Sequence, residues 1–369
     1  MFYRRMPFAA IVGQDKLKSA YLANIVNPKI GGLLVNGPKG TGKSSIVRSV
    51  ENILPEYESV EGCLFDCDPR HAESYCTLCR ERQNIKTTKK TMRIVELPLS
   101  CTEDRLIGTI DIERLLTKGE KVVIPGILGQ ANRNILYVDE VNLLPDHLVD
   151  DILDAAALHW NSIEREGLSI THPADFVLVG TMNPEEGDLR PQILDRFPLC
   201  VKITSVKEPE ARVEIVKRNL LFESDPADFF KQFQTSESEI KQLILKARTL
   251  LGSVAIDDAM IEAIARSCSE LKVDGQRPDI IIMKTALTMA ALGGRTRVVS
   301  QDIFLSAELA LIHRTRDGGL LEPPLADEIA RIFAKNCGHI DESSSAAEQK
   351  AAETSSMPGE TAQDLKKKS

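Results

Sequence analysis

Gly37-Pro38-Lys39-Gly40-Thr41-Gly42-Lys43-Ser44 decides the fold. It is a complete G-x-x-x-x-G-K-[ST] phosphate-binding loop. The apolar run Leu33-Leu34-Val35 leads into it as a buried strand. After it, Ile46, Val47, Val50, Ile53 and Leu54 recur at helical spacing. Strand, loop and helix thus follow in the order that a phosphate site needs. Glycines let the backbone wrap a phosphate chain with its N–H groups inward, and the helix N-terminus adds partial positive charge. Lys43 is placed to reach β/γ-phosphates, and the Ser44 hydroxyl to sit on Mg²⁺. All eight loop residues, Gly37 through Ser44, are read as nucleotide-binding.

The second half of such a site is Asn134-Ile135-Leu136-Tyr137-Val138-Asp139-Glu140, an apolar strand ending in two acids. At a strand's carboxyl end Asp139 would hold the Mg²⁺ of MgATP, mostly through water. Glu140 would be the general base that polarises the attacking water. A lone Asp-Glu pair would be an ordinary acidic turn; the phosphate loop upstream changes that reading. Phe176-Val177-Leu178-Val179-Gly180-Thr181-Met182-Asn183 is another buried strand, ending in an amide able to bond a γ-phosphate or the lytic water.

Strands are also read at Met92–Leu99 and Val201–Ile203, giving five apolar strands that alternate with helices. This predicts an α/β fold with a central five-stranded parallel sheet. Ser162–Ile170 alternates around Glu166-Gly167 as a hairpin, and Gly119–Gly126 reads as a short strand or hairpin ending at Pro-Gly. Phe8–Asp15 reads either as a segment flanking a nucleotide base or as an apolar stretch ending in a glycine turn. From Glu208 the pattern is helical, broken at Pro226 and at Gln234-Thr235-Ser236-Glu237. Helices are expected over Ile240–Leu251, Asp257–Leu271, Ile280–Leu292 and Gln301–Arg314, with Asp257 and Ser300 as N-caps. The predicted division is an ATPase domain at 7–205, a linker at 206–236, an all-α lid at 237–338 and a disordered tail at 339–369.

Cys63, Cys67, Cys76 and Cys79 form C-x₃-C-x₈-C-x₂-C, an insertion over 63–79. Four thiols in seventeen residues either close around one structural tetrahedral Zn²⁺ or remain reduced cysteines; an iron–sulfur cluster is less favoured. His71 lies inside the loop as a rival ligand. The eight cysteines of the chain read as metal-binding or buried and not as disulfide-bonded. A net charge of −8 argues against a nucleic-acid surface, and no apolar run is long enough to span a membrane. The amino-terminal stretch lacks a signal-peptide apolar core, so the chain reads as cytoplasmic.

Phosphate loop, acidic strand, Asn-ending strand and helical lid arrive in the order of an AAA+ ATPase. Within that class, Val141-Asn142-Leu143-Leu144, Ile163-Glu164-Arg165-Glu166-Gly167, His172-Pro173-Ala174, Asn183-Pro184-Glu185-Glu186-Gly187 and Leu189-Arg190-Pro191-Gln192-Ile193-Leu194-Asp195-Arg196-Phe197 resemble the magnesium chelatase I subunit. So do Asp274-Gly275-Gln276-Arg277-Pro278-Asp279 and His313-Arg314-Thr315-Arg316 in the lid. The resemblance covers roughly residues 7 to 320. It departs at Pro198, where the family has Gly, and at Ile312, where the family has Pro.

The resemblance implies a ring, commonly a hexamer, that hydrolyses ATP to drive Mg²⁺ insertion into protoporphyrin IX in chlorophyll or bacteriochlorophyll biosynthesis. Its partners would be an integrin-domain D-type subunit and the large porphyrin-binding subunit. Asn183 would take the sensor-1 role. Arg196 would be the arginine finger acting on a neighbour's nucleotide, with Arg190 as its rival, and Arg277 the sensor-2 arginine. The two hairpin inserts would serve subunit contacts. A cobaltochelatase or other tetrapyrrole chelatase motor has the same chemistry. A chaperone-like AAA+ remodelling protein is the reading from a different class.

Overall fold

Leu33, Leu34 and Val35 are fully buried and form β1 (Gly32–Asn36), which has parallel neighbours on both sides. The computed structural model of the chain describes residues 5–111, 114, 117, 122–165 and 168–338. The expected tail at 339–369 lies outside these residues, as does the Glu166-Gly167 turn.

β1 is followed by β2 (Glu56–Val60), β3 (Thr87–Thr91), β4 (Ile94–Leu97), β5 (Gly108–Ile110), β6 (Val123–Pro125), β7 (Ile135–Val138), β8 (Trp160–Arg165), β9 (Leu168–Pro173), β10 (Val177–Met182) and β11 (Leu199–Lys202). The predicted five-stranded parallel sheet is present, in the order β11-β1-β10-β7-β4. Every residue of β7 and β10 is buried. Helices cover both faces, so these strands read as unbroken apolar runs and not as alternating ones. The remaining strands form three antiparallel pairs, β2-β3, β5-β6 and β8-β9. The β8-β9 pair is the hairpin expected at Ser162–Ile170. β6 is a short strand within the expected Gly119–Gly126 stretch, of which 119–121 lie outside the described residues, and its partner β5 was not read from sequence.

The helical region holds helices at Pro226–Leu251, Asp258–Glu270, Arg277–Leu292, Ser300–Leu311 and Ala326–Cys337. It departs from expectation at its start. The stretch read as a linker is helical, over Pro209–Ser224 and again from Pro226. Pro226 opens a helix and does not break one: a first-turn proline lacks only an N–H that would be unpaired anyway. The Asp225 carboxylate accepts from the Ala227 amide at 3.1 Å and the Asp228 amide at 2.9 Å. The polar stretch at 234–237 runs on inside this helix, because Glu237 turns inward and accepts the Ala9 amide at 2.7 Å. Ser300 is the first helical residue and not the cap. The Val299 amide is taken by Asp302 at 3.0 Å.

Candidate functional site

The phosphate loop turns between β1 and the helix Lys43–Ser49. Gly40 and Gly42 sit at φ +81° and +79° with open space where a Cβ would stand, so the loop is a hollow lined by backbone. The Lys43 ammonium folds back over it, donating to the Gly37 carbonyl and to the Pro38 carbonyl at 2.9 Å. Burial holds this ammonium below its ordinary pKa against the opposing pull of Asp139 and Glu140. A phosphate chain offers it better acceptors in the same place.

Asp139 follows the last residue of β7. The Ser44 hydroxyl donates to Asp139 Oδ1 at 3.0 Å, joining positions 95 residues apart. The Thr181 hydroxyl donates to the same oxygen at 2.6 Å, and Arg48 lies 3.5 Å from Oδ2. Burial raises the carboxyl's pKa, but the bonds from Thr181 and Ser44 and the Arg48 charge outweigh it and keep the group below the usual carboxylate range. A hydroxyl and an ionised carboxylate converging beside a phosphate hollow are a donor set for a hard divalent cation such as Mg²⁺.

Glu140 stands at φ +55°, a left-handed conformation that a side chain adopts at a cost. Its amide donates to Thr181 Oγ1 at 3.1 Å. Asn183 is buried, and its side-chain oxygen accepts the Glu185 amide at 3.3 Å. Asn142 ties this strand end down, donating to the Asn183 carbonyl at 3.4 Å and the Gly187 carbonyl at 3.1 Å.

Thr181 and Arg48 were not singled out from sequence. Strand alternation carries the signal for Thr181, because it shares a face with Asn183 two residues on. Beside the loop lies a cavity of about 130 Å³, with Ile11, Val12, Thr41, Gly42, Ile215 and Asn219 in its lining. This favours the base-flanking reading of the Phe8–Asp15 segment.

Of the three arginines, Arg196 and Arg277 come together, while Arg190 stands apart from them. Arg196 pairs with Asp154 at 2.7 Å and Arg190 with Asp146 at 2.6 Å, both acids lying on the helix Asp146–Leu158. Arg277 donates to the Arg196 carbonyl at 3.0 Å. Burial, and then the neighbouring Arg196 charge, lowers the pKa of Arg277. The segment around Arg196 is held by the lid. Buried Arg314 donates to the carbonyls of Asp195, of Phe197 at 3.0 Å and of Pro198 at 3.2 Å. His313 bonds the Phe197 carbonyl at 2.9 Å, and the Thr315 hydroxyl donates to Asp195 at 3.0 Å.

The four insertion cysteines are buried and unbridged, with their sulfurs all within 4.8 Å of one another. Tetrahedral coordination at a Zn–S length of about 2.3 Å sets sulfurs roughly 3.8 Å apart, and Cys63 and Cys76 stand at 4.0 Å. Backbone amides already point at the sulfurs, Cys76 N–H to Cys67 at 3.2 Å and Phe65 N–H to Cys63 at 3.4 Å. His71, the rival ligand, is exposed and pairs with Glu73 at 3.0 Å.

A nucleotide held on β1 would meet Asp139, Glu140 and Asn183 from the adjoining strand ends, while Arg196 lies where the helical lid closes on the segment before β11. That division defines an AAA+ ATPase, and residues 261–332 match the family description "AAA lid domain".

Within that class the chain belongs to the magnesium chelatase subunit ChlI family, whose description "Magnesium chelatase, subunit ChlI" matches residues 7–193. It is 51% identical over 325 residues to a magnesium-chelatase subunit ChlI homolog of Methanocaldococcus jannaschii, covering 87% of this chain and 88% of that one. It is 46% identical over 340 residues to magnesium-chelatase subunit ChlI of Synechocystis sp., covering 91% and 95%. Among solved structures it resembles a chain from a complex of the magnesium chelatase subunits BchI and BchD, with 41% identity, a TM-score of 0.50, and coverage of 89% of this chain and 99% of that one. A putative ATPase from Cytophaga hutchinsonii shares the fold at 17% identity and a TM-score of 0.56, covering 89% of this chain and 91% of that one.

Proposed function

We propose that the chain is the ATP-hydrolysing motor subunit of a magnesium chelatase, driving a partner that inserts Mg²⁺ into protoporphyrin IX. The observation that carries the reading is the meeting of Ser44 with Asp139 at 3.0 Å beside the open phosphate loop. It brings the two halves of a Mg-nucleotide site together in a chain of this family. The N–H groups of Gly37–Ser44 bind the phosphate chain, and Lys43 leaves the Gly37 and Pro38 carbonyls for the β/γ-phosphates. Ser44 and Asp139 would hold Mg²⁺, which when bound neutralises charge on the β- and γ-oxygens. Asn183 orients the water that Glu140 deprotonates. The water oxygen bonds the γ-phosphorus as the bond to the bridging β,γ-oxygen breaks, leaving ADP and phosphate.

Arg196 serves a nucleotide bound by a neighbouring subunit; its guanidinium is partly exposed, in a surface pair with Asp154, and so within reach of one. Arg277, bonded to its backbone, arrives with it. This requires a ring, taken as six subunits. The further partners are a D-type integrin-domain subunit and the large porphyrin-binding subunit, and the solved complex of the BchI and BchD subunits supports the first of these. The net charge of −8 speaks against nucleic acid as a partner. No helix among the described residues is long and apolar enough to cross a membrane. Eight unbridged cysteines support a cytoplasmic setting.

We also assign one structural Zn²⁺ to Cys63, Cys67, Cys76 and Cys79, on the clustering of their sulfurs. Metal analysis of the purified chain checks this, and a folded, metal-free protein would overturn it.

The motor reading is tested by mixing the chain with D-type and large subunits, ATP, Mg²⁺ and protoporphyrin IX, and following metalloporphyrin fluorescence. Insertion is expected only with all three proteins present, while the chain alone hydrolyses ATP. Insertion by the chain alone, or no insertion with any partner, would overturn it.

A further inference from the structure

The buried apolar side chains fall into two clusters, a large one through the sheet and lid and a second around the cysteines. The second contains the four cysteines, Val60, Phe65 and Tyr75 beside them, and one residue from each strand of the two hairpins. Those four are Ile110 and Val123, which face each other across β5 and β6, and Ile163 and Ile170, which face each other across β8 and β9. The hairpins also touch: a Cβ at Gly108 of β5 would stand 2.8 Å from Ile163 Cδ1.

The ligand loop grips β9 from both of its ends. Between Cys63 and Cys67, the Phe65 ring stacks on His172 with centroids 4.2 Å apart and planes 4° from parallel. Between Cys76 and Cys79, Thr77 Oγ1 accepts the Thr171 amide at 3.0 Å. The loop has little regular structure of its own, only a single turn at Ala72–Ser74 and a four-residue helix at Thr77–Arg80. Residues 65–68 are tied to the body by polar contacts, Asn132 Nδ2 donating to the Phe65 carbonyl at 2.6 Å and Arg133 pairing with Asp68 at 3.2 Å. But the core around the sulfurs is small and over a third thiols, and proteins staple such cores with metal or disulfides. None of the nucleotide-binding groups belongs to this cluster.

We infer that the metal-closed cysteine loop is the fixing point of both hairpins, so that metal loss releases the hairpin layer and leaves the nucleotide site intact. This rests on the zinc assignment above. It makes the hairpins metal-dependent surfaces on an ATPase whose nucleotide affinity is metal-independent at this site.

The full-length protein is purified and its zinc per chain measured. Amide exchange and nucleotide affinity are then followed before zinc is stripped by a strong chelator under reducing conditions, and again after the chelator is removed and Mg²⁺ restored. Exchange at 108–110, 123–125, 160–165 and 168–173 should rise by about tenfold or more, while β1, β10 and nucleotide affinity change by less than about twofold. Zinc added back should restore protection, and Cys79→Ser should reproduce the stripped state; should that variant not fold, the chelation series decides alone. Hairpins that stay protected after the metal leaves overturn the inference while the zinc assignment stands. A central sheet that loosens in step with the hairpins also overturns it. A folded protein purified without metal overturns the assignment beneath it.

Discussion

The Thr181 hydroxyl donates to the Asp139 carboxylate at 2.6 Å and accepts the Glu140 amide at 3.1 Å, so one fully buried side chain on β10 orients both acids at the end of β7. Thr181→Val keeps the shape and removes both bonds, leaving the Glu140 amide unpaired at a residue already in a left-handed conformation. Supporting residues around metal sites are worth about 10–100-fold in activity or metal affinity. We expect a loss of that size in kcat for ATP hydrolysis, with nucleotide affinity little changed, and recovery in Thr181→Ser. A Thr181→Val enzyme with normal kcat would show that Glu140 holds its place without this bond.

Lys43→Ala and Glu140→Gln should separate binding from chemistry. Lys43 is the cation placed over the phosphate hollow, so its loss should abolish tight ATP binding. Glu140→Gln keeps the size of the side chain and removes its basicity, so it should bind ATP normally and hydrolyse it at least about 100-fold more slowly. Calorimetric binding beside phosphate release tests both, and normal hydrolysis by Glu140→Gln would remove the base assignment.

The sheet was legible because strands buried on both faces leave unbroken apolar runs. Leu33–Val35, Ile135–Val138 and Val177–Met182 are such runs, and the polar residues at their ends mark the nucleotide edge. The start of the lid was not legible. Pro226 and Glu237 look like breaks locally, but Glu237 is turned inward by the Ala9 amide, 228 positions away. Long-range bonds of this kind leave no periodicity in the chain. The same applies to Arg314, which reads as one basic residue among several until its guanidinium is seen on the carbonyls of Asp195, Phe197 and Pro198.

That grip bears on the arginine finger. If Arg196 serves a neighbour's nucleotide, Arg196→Ala subunits still bind ATP, and Lys43→Ala subunits still carry a good finger. Each alone should be inactive, the first by about 10³-fold or more, and mixtures should regain hydrolysis. Titrating one variant into the other and measuring phosphate release tests this. No recovery in the Arg196 mixture, with recovery in the matching Arg190→Ala mixture, would transfer the role to Arg190.

The lid contact beside that finger should make stability depend on acid. His313 is buried against the Phe197 carbonyl, and burial, then the adjacent Arg314 charge, pushes its pKa from 6.5 down to about 3. The folded chain therefore keeps the ring neutral, while the unfolded chain takes up a proton as pH falls through 6.5. Between the two values the unfolded state binds more protons, so this group's contribution is full above pH 6.5 and is lost progressively below it. One proton is worth about 1.4 kcal/mol per pH unit, or about 2 kcal/mol between pH 6.5 and 5. Chemical denaturation across that range should show the slope, and His313→Gln, whose amide can still donate to the Phe197 carbonyl, should flatten it by one proton. An unchanged slope in that variant would place the acid sensitivity in other groups.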